Sequence, residues 1–294
     1  GTVAGKLSPA MCHMLGLKEG VVVAVGGHDQ PCGALGSGAV HPGDVSDSAG
    51  TYECMTLVSD RPYNTPQALG CSLNSYCHVV PDRYVTLAFF AAGLSTRWFV
   101  EQFCAEEERI SKERGISIYT LLNEKVDVLC SGPTGLCMTP HLVGACNPHW
   151  DVRATGVLAG LVPGTTKYHV YKAIFEGIAF EMAENIDILE NITGSFSGMT
   201  ISGGNAASPF TVRLRADITG KEMHTLKNSE SVCLGAALLA GVASGVYSGY
   251  GEAAKQAVAV GDIYVPDLTE QERYEKQRRQ YRQLYPGLEG YRNI

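Results

Sequence analysis

An α/β layered fold is predicted by three observations. Strand and helix patterns alternate along the chain, no internal repeat or low-complexity tract interrupts them, and a short β-branched run, Val21 to Val25, is bounded by glycines. That run reads as a buried strand, since a wholly apolar strand needs cover on both faces. Residues 47–58 and 84–90 read as further strands. Gly43-Asp44 before the first and Asp60-Arg61-Pro62 after it point to a hairpin or meander. From Tyr171 to Glu190, Ile174, Ile178, Met182, Ile186 and Leu189 recur at three- and four-residue steps. This predicts a helix with one buried stripe, leaving Glu181, Glu184 and Glu190 free to face water. Residues 199–202 read as a strand. The helix after it takes Ser208 as N-cap and Pro209 as first residue, carries Phe210, Leu214 and Ile218 on one face and stops at Gly220. A last helix, 269–284, mixes Glu270, Glu272 and Glu275 with Arg273, Lys276, Arg278, Arg279 and Arg282. It reads as a solvated closing helix with intrahelical ion pairs, the alternative being a basic face for a partner.

Composition narrows the function classes. With 294 residues, 45% hydrophobic and 18% charged, the chain is long enough for one large domain or two smaller ones. A net charge of -7 argues against a nucleic-acid surface, while leaving room for local binding of a nucleotide phosphate by backbone N–H groups. The ten cysteines are scattered and form no Cys-x-x-Cys pair, which points to reduced thiols and the cytoplasm. The longest small-and-apolar stretch, 232–247, is short of the ~20 residues of a membrane helix, so no membrane partner is expected.

Four segments carry candidate chemistry. Gly26-Gly27-His28-Asp29-Gln30 puts a carboxylate where an apolar run opens into a glycine turn, and ligands of open α/β sheets sit at strand ends. Asp29 suits a general base that takes a hydroxyl proton in phosphoryl transfer; equally, it suits a cap for the helix that follows. His28 has no second ligand at metal spacing nearby, so no metal site is expected. In Ser48-Ala49-Gly50-Thr51, a glycine admits close approach of an anion and a hydroxyl stands beside it, but the same pair makes an ordinary turn. In Ala92-Gly93-Leu94-Ser95-Thr96-Arg97, the Arg97 fork suits a phosphate or a surface carboxylate. Gly203-Gly204, between a strand and the capped helix at Ser208, make either a tight turn or a backbone surface for a nucleotide.

In this order and spacing, these segments, with Cys233-Leu234-Gly235-Ala236-Ala237 behind them, resemble the FGGY family of carbohydrate kinases over almost the whole chain. Lys172-Ala173-Ile174-Phe175-Glu176-Gly177-Ile178-Ala179 is similar to that family's characteristic helix. Gly27-His28-Asp29 with Ala34-Leu35-Gly36 is closer to fuculokinase-like members than to glycerol kinase. The resemblance implies an actin-like, ribonuclease-H-like ATPase fold, a mixed sheet flanked by helices. It implies Asp29 as the general base, with Gln30 and the adjacent His28 on the sugar or polyol. Gly50 and Thr51 would face the β- and γ-phosphates of ATP, carried with Mg²⁺, and Gly93 and Arg97 would approach the phosphates. Gly203, Gly204 and Ser208 would take the adenosine, and Gly235 would open a neighbouring helix.

Two departures stand out. Gly144-Ala145-Cys146 replaces the family's Gly-Glu-Arg before Asn147-Pro148-His149-Trp150-Asp151, removing two charges near the cleft, and Tyr52 replaces a small residue after Thr51. Residues 1–40 are expected to be the tail of an N-terminal domain bearing the Asp29 motif, and 41–294 the C-terminal nucleotide-binding domain, so that the isolated chain is expected to be inactive. The expected activity of the parent enzyme is phosphorylation of a ketose-type sugar or polyol. The alternative is an actin-like nucleotide-binding or scaffold module without sugar chemistry. The implied partners are the sugar or polyol and the nucleotide, with a homo-oligomer left open.

Overall fold

A computed structural model describes residues 1–293. Strands β1 (Val3–Lys6) and β2 (Val22–Ala24) pair antiparallel on either side of α1 (Pro9–Met14), and α2 (Asp29–Gly36) follows. Next come β3 (Val45–Ala49), β4 (Tyr52–Ser59), α3 (Pro66–Gly70), β5 (Asn74–Cys77) and β6 (Tyr84–Ala91). Helices α4 (Gly93–Phe103), α5 (Ala105–Arg114) and α6 (Ile118–Leu129) precede a small pair, β7 (Cys137–Thr139) with β8 (Val157–Ala159). The long α7 (Lys167–Thr193) leads to β9 (Gly198–Ser202), a 3₁₀ turn at Gly204–Ala207, α8 (Pro209–Thr219), β10 (Glu222–Leu226) and α9 (Ser231–Ala243). The chain then runs through α10 (Tyr250–Ala257), β11 (Val260–Tyr264), α11 (Leu268–Tyr281), α12 (Leu284–Gly287) and α13 (Glu289–Arg292).

Seven strands form one mixed sheet in the order β11-β10-β9-β3-β4-β6-β5. Its centre is parallel (β3 with β9, β9 with β10), while β4, β6, β5 and β11 pair antiparallel to their neighbours. Helices cover both faces, and β4 shows it in its side chains. Met55 and Leu57 enter the core with Ile174 and Ile178 of α7, while Cys54 and Val58, pointing the other way, pack with Ala34 of α2. The segment read as one strand, 47–58, is a hairpin of two, turning at Gly50-Thr51.

Three readings need correction. The run 21–25 is a strand only over Val22–Ala24, and Val23 and Val25 are 40% and 53% exposed. It pairs with β1 and joins neither face of the main sheet, so its apolar character did not signal burial. Second, α7 has no water-facing stripe in its first half. Residues 171–183 are all buried, because α6, α8, β6 and β7 pack around it. Glu181 is inside, with His141 Nε2 at 2.8 Å and the Tyr281 hydroxyl donating to it. Gly177 is where β7 crosses the helix: a Cβ there would stand 1.9 Å from the Met138 carbonyl oxygen. Third, the closing helix is docked. Tyr274, Gln277 and Tyr281 of α11 are buried, and Arg278 and Arg282 bond Glu184 and Asp187 of α7, Arg278 also forming an intrahelical pair with Glu275.

Candidate active site

Strands β3, β6 and β9 run in the same direction, and each releases the chain at a glycine: Gly50, Gly93 and Gly203. The three turns meet on one carbonyl. The Gly50 oxygen accepts from Gly93 N at 3.1 Å and from Asn205 Nδ2 at 3.2 Å. A Cβ on Gly93 would lie 2.7 Å from that oxygen, and one on Gly203, whose φ is +93°, would lie 2.7 Å from the Ala49 oxygen. Glycine is therefore required at both positions by close approach, and at Gly203 also by its left-handed backbone.

Beside these turns opens a cavity of about 670 Å³, walled by α4, α6, α7 and the start of α8. Such a volume lies within the ~300–1,000 Å³ of small-ligand pockets. Gly93, Gly204 and Ser208, expected at a nucleotide, all line it, whereas Gly203 and Gly50 lie just behind. Gly204 opens onto free space, with no atom within 4 Å of a Cβ built there. Ser208 holds the N-cap position of α8, but its side chain does not cap: its hydroxyl accepts from Asn123 Nδ2 at 3.1 Å, and Asn123 Oδ1 accepts from the Tyr171 hydroxyl at 3.1 Å. Asn123, Asn205 and Tyr171 escaped the sequence reading. Asn205, between a glycine pair and an N-cap serine, had a local signal; Asn123 and Tyr171 reach the cavity only through helix packing.

Asp29 is the first residue of α2, after His28 at the N-cap. Its Oδ1 accepts from Gln30 N at 2.8 Å and lies 3.1 Å from His28 Nε2, and the side chain is 63% exposed. One turn on, Gly33 packs against Val232 at the start of α9, where the Ser231 hydroxyl is 3.1 Å from that of Ser202 at the end of β9. Asp29 thus belongs to the same end of the sheet as the glycine turns, but on the α2–α9 face. Arg97 is not among the residues that line the cavity and pairs with Glu101 at 2.8 Å, an exposed i,i+4 contact on α4. Gly235, expected to open a helix, lies in the second turn of α9, pressed against α2.

The altered loop is tied down without its two charges. Ala145 and Asp151 exchange backbone hydrogen bonds at 2.9 Å, and Asn147 accepts from Phe89 N and donates to the Cys71 and Ser72 carbonyls. Among the described residues, no group of three His, Cys, Asp or Glu side chains gathers as metal ligands, and no helix is long and apolar enough to cross a membrane.

Residues 45–244 match the FGGY family of carbohydrate kinases, C-terminal domain. The chain is 29% identical to a xylulose kinase of Staphylococcus epidermidis over 282 residues, 96% of this chain and 54% of the relative. It is 27% identical to an autoinducer-2 kinase of Escherichia coli over 289 residues, 97% of this chain and 54% of the relative. The chain thus spans about half the length of the curated relatives it matches. A xylulose kinase of Rhodospirillum rubrum superposes on the whole chain with a TM-score of 0.83 at 23% identity, using 57% of that protein. A ligand-bound xylulose kinase of Lactobacillus acidophilus covers 98% of the chain with a TM-score of 0.85 at 22% identity, using 56% of its own length. The fold is the actin-like, ribonuclease-H-like one.

Proposed function

The chain belongs to the FGGY family of carbohydrate kinases, and from that membership we propose that the protein transfers the γ-phosphoryl group of MgATP to a hydroxyl of a sugar or polyol. The observation that carries this reading is the meeting of three glycine turns on the Gly50 carbonyl beside a cavity that Gly204 and Ser208 line. Adenosine occupies that cavity against Gly204 and Ser208, behind which Gly203 holds the turn. Gly50, Thr51 and Gly93 present backbone toward the phosphates, and Arg97 would exchange Glu101 for a phosphate to join them. Mg²⁺ travels with the triphosphate and neutralises charge on the phosphoryl group in flight. Asp29 is an accessible carboxylate at the same end of the sheet and takes the acceptor hydroxyl's proton, with Gln30 and His28 holding other hydroxyls of the acceptor. Ketoses lead the candidates, xylulose first, because it names relatives of this chain. The ten free cysteines support a reducing, cytoplasmic setting.

An ADP-coupled assay of the full-length protein across xylulose, other ketoses and polyols tests the reading. Sugar-dependent turnover is expected, falling ~10²- to 10⁴-fold in Asp29→Asn with MgADP affinity unchanged. Wild-type turnover in the Asn variant would move the base elsewhere. Nucleotide binding without turnover on any acceptor would favour a nucleotide-binding module instead.

A further inference from the structure

Behind the glycine turns lies a buried cluster that the reaction does not itself use. Glu53 on β4, three residues after Gly50, and Arg215 on α8 are 0% and 1% exposed in their side chains and form an ion pair. The guanidinium meets both carboxylate oxygens, from Nη2 and, at 3.3 Å, from Nε. It also donates from Nη1 to the Thr211 carbonyl at 3.0 Å. The Thr211 hydroxyl donates to the Asn205 carbonyl at 2.6 Å, and the Asn205 amide donates to the Gly50 carbonyl at 3.2 Å. Followed round, these bonds close a ring: Gly50, Asn205, Thr211, Arg215, Glu53, and three residues of chain back to Gly50. The arc from Asn205 to Thr211 lines the cavity, and the Gly50-Thr51 arc lies just behind it, joined to the lining residue Gly93 through the Gly50 carbonyl.

We propose that Glu53 and Arg215 are positioning residues: their buried ion pair locks the Gly50-Thr51 turn to the start of α8, and so sets the spacing between the phosphate and adenosine ends of the nucleotide site. The inference rests on the reading of this cavity as a nucleotide site. Arg suits the task because its planar fork reaches two partners in fixed directions, which a Lys ammonium does not. A buried pair of this kind adds little net stability against apolar replacements of similar volume, so geometry is its distinctive contribution here. Asp47, on the same face of β3, supports this reading. Its carboxyl is wholly buried with no hydrogen-bond partner, and burial, then the Glu53 charge, push its pKa well up against the pull of Arg215. Burial and the neighbouring Glu53 charge thus favour its neutral form over a second carboxylate charge behind the turn.

The test is calorimetric titration of the chain with MgADP and with adenosine, for wild type, Arg215→Lys, and the double variant Glu53→Met/Arg215→Met, which fills the volume and leaves no lone charge. In both variants MgADP affinity is expected to fall about tenfold while adenosine affinity stays within about twofold, the loss of a charge-assisted bond. Equal change, or no change, for both ligands in a folded variant would overturn the positioning role while leaving the nucleotide reading intact. Arg215→Lys retains the buried charge and decides the matter if the double variant does not fold. A wild-type chain that binds neither ligand would overturn the nucleotide reading, and this proposal with it.

Discussion

A carboxylate inside a protein needs donors, and Glu181 has two, the His141 ring and the Tyr281 hydroxyl. Burial alone would raise its pKa; the hydrogen bond and charge of His141 and the Tyr281 hydroxyl, helped by His149, outweigh burial and hold it below the usual value. As pH falls, the unfolded chain then takes up the proton first. This contribution to stability is complete above the unfolded value, about 4.3, and vanishes as pH falls through the lower folded one. Glu181→Gln should therefore cost about 1.5–3 kcal/mol at neutral pH. In urea unfolding the gap to wild type should close in acid, and a gap independent of pH would contradict the assignment. At the cavity, Gly204→Val meets open space at its Cβ and needs no left-handed backbone, so the variant should fold normally yet weaken MgADP binding by calorimetry. Unchanged affinity would move the adenosine site. Gly93, Gly204 and Ser208 were legible as cavity residues because glycines at strand ends and N-cap serines are local features. Asn123 and Glu181 were not, since their partners lie 85 and 40 residues away in sequence.

Helices α2 and α9 cross at two glycines. A Cβ on Gly235 would stand 1.9 Å from the Cys32 carbonyl oxygen, and one on Gly36 would stand 1.8 Å from that of Ser231. The opposing atoms are backbone and cannot swing aside. Gly235→Ala should destabilise by about 1–3 kcal/mol or more through overpacking, visible as a lower melting temperature. Gly251→Ala in α10 is the control: nothing lies within 4 Å of its Cβ, and a gain of about 0.5–1 kcal/mol from helix propensity is expected. A neutral Gly235→Ala would show that the helices can part. Helix periodicity found α7 and α8, since that pattern arises within one element, whereas 47–58 was read as one strand of a hairpin and proved to be both of its strands. It placed α7's acidic residues in water because it could not count how many neighbours would surround that helix. It likewise read α11 as solvated, although Arg278 and Arg282 reach α7.

For the molecule as a whole, a ligand held between turns of β3, β6 and β9 and the starts of α4 and α8 should stabilise the entire fold, because unfolding any of these elements releases it. MgADP at 100 times its Kd is expected to add about 2.7 kcal/mol, read as a rise of several degrees in melting temperature. No rise at saturation would contradict binding in this cavity. The sequence by itself determined the layered α/β class, the family, the glycine turns and the start of α8 at Ser208-Pro209. Each of these is written in residues adjacent along the chain, where backbone freedom, capping and periodicity act. Only the tertiary structure decided that 21–25 would lie outside the main sheet, that Arg97 would take Glu101 rather than line the cavity, and that Glu53, Arg215 and Asp47 would share one dry space. Burial and ion pairing depend on which surfaces meet, and β4 meets α8 only where the chain brings Arg215, 162 positions further on, back onto Glu53.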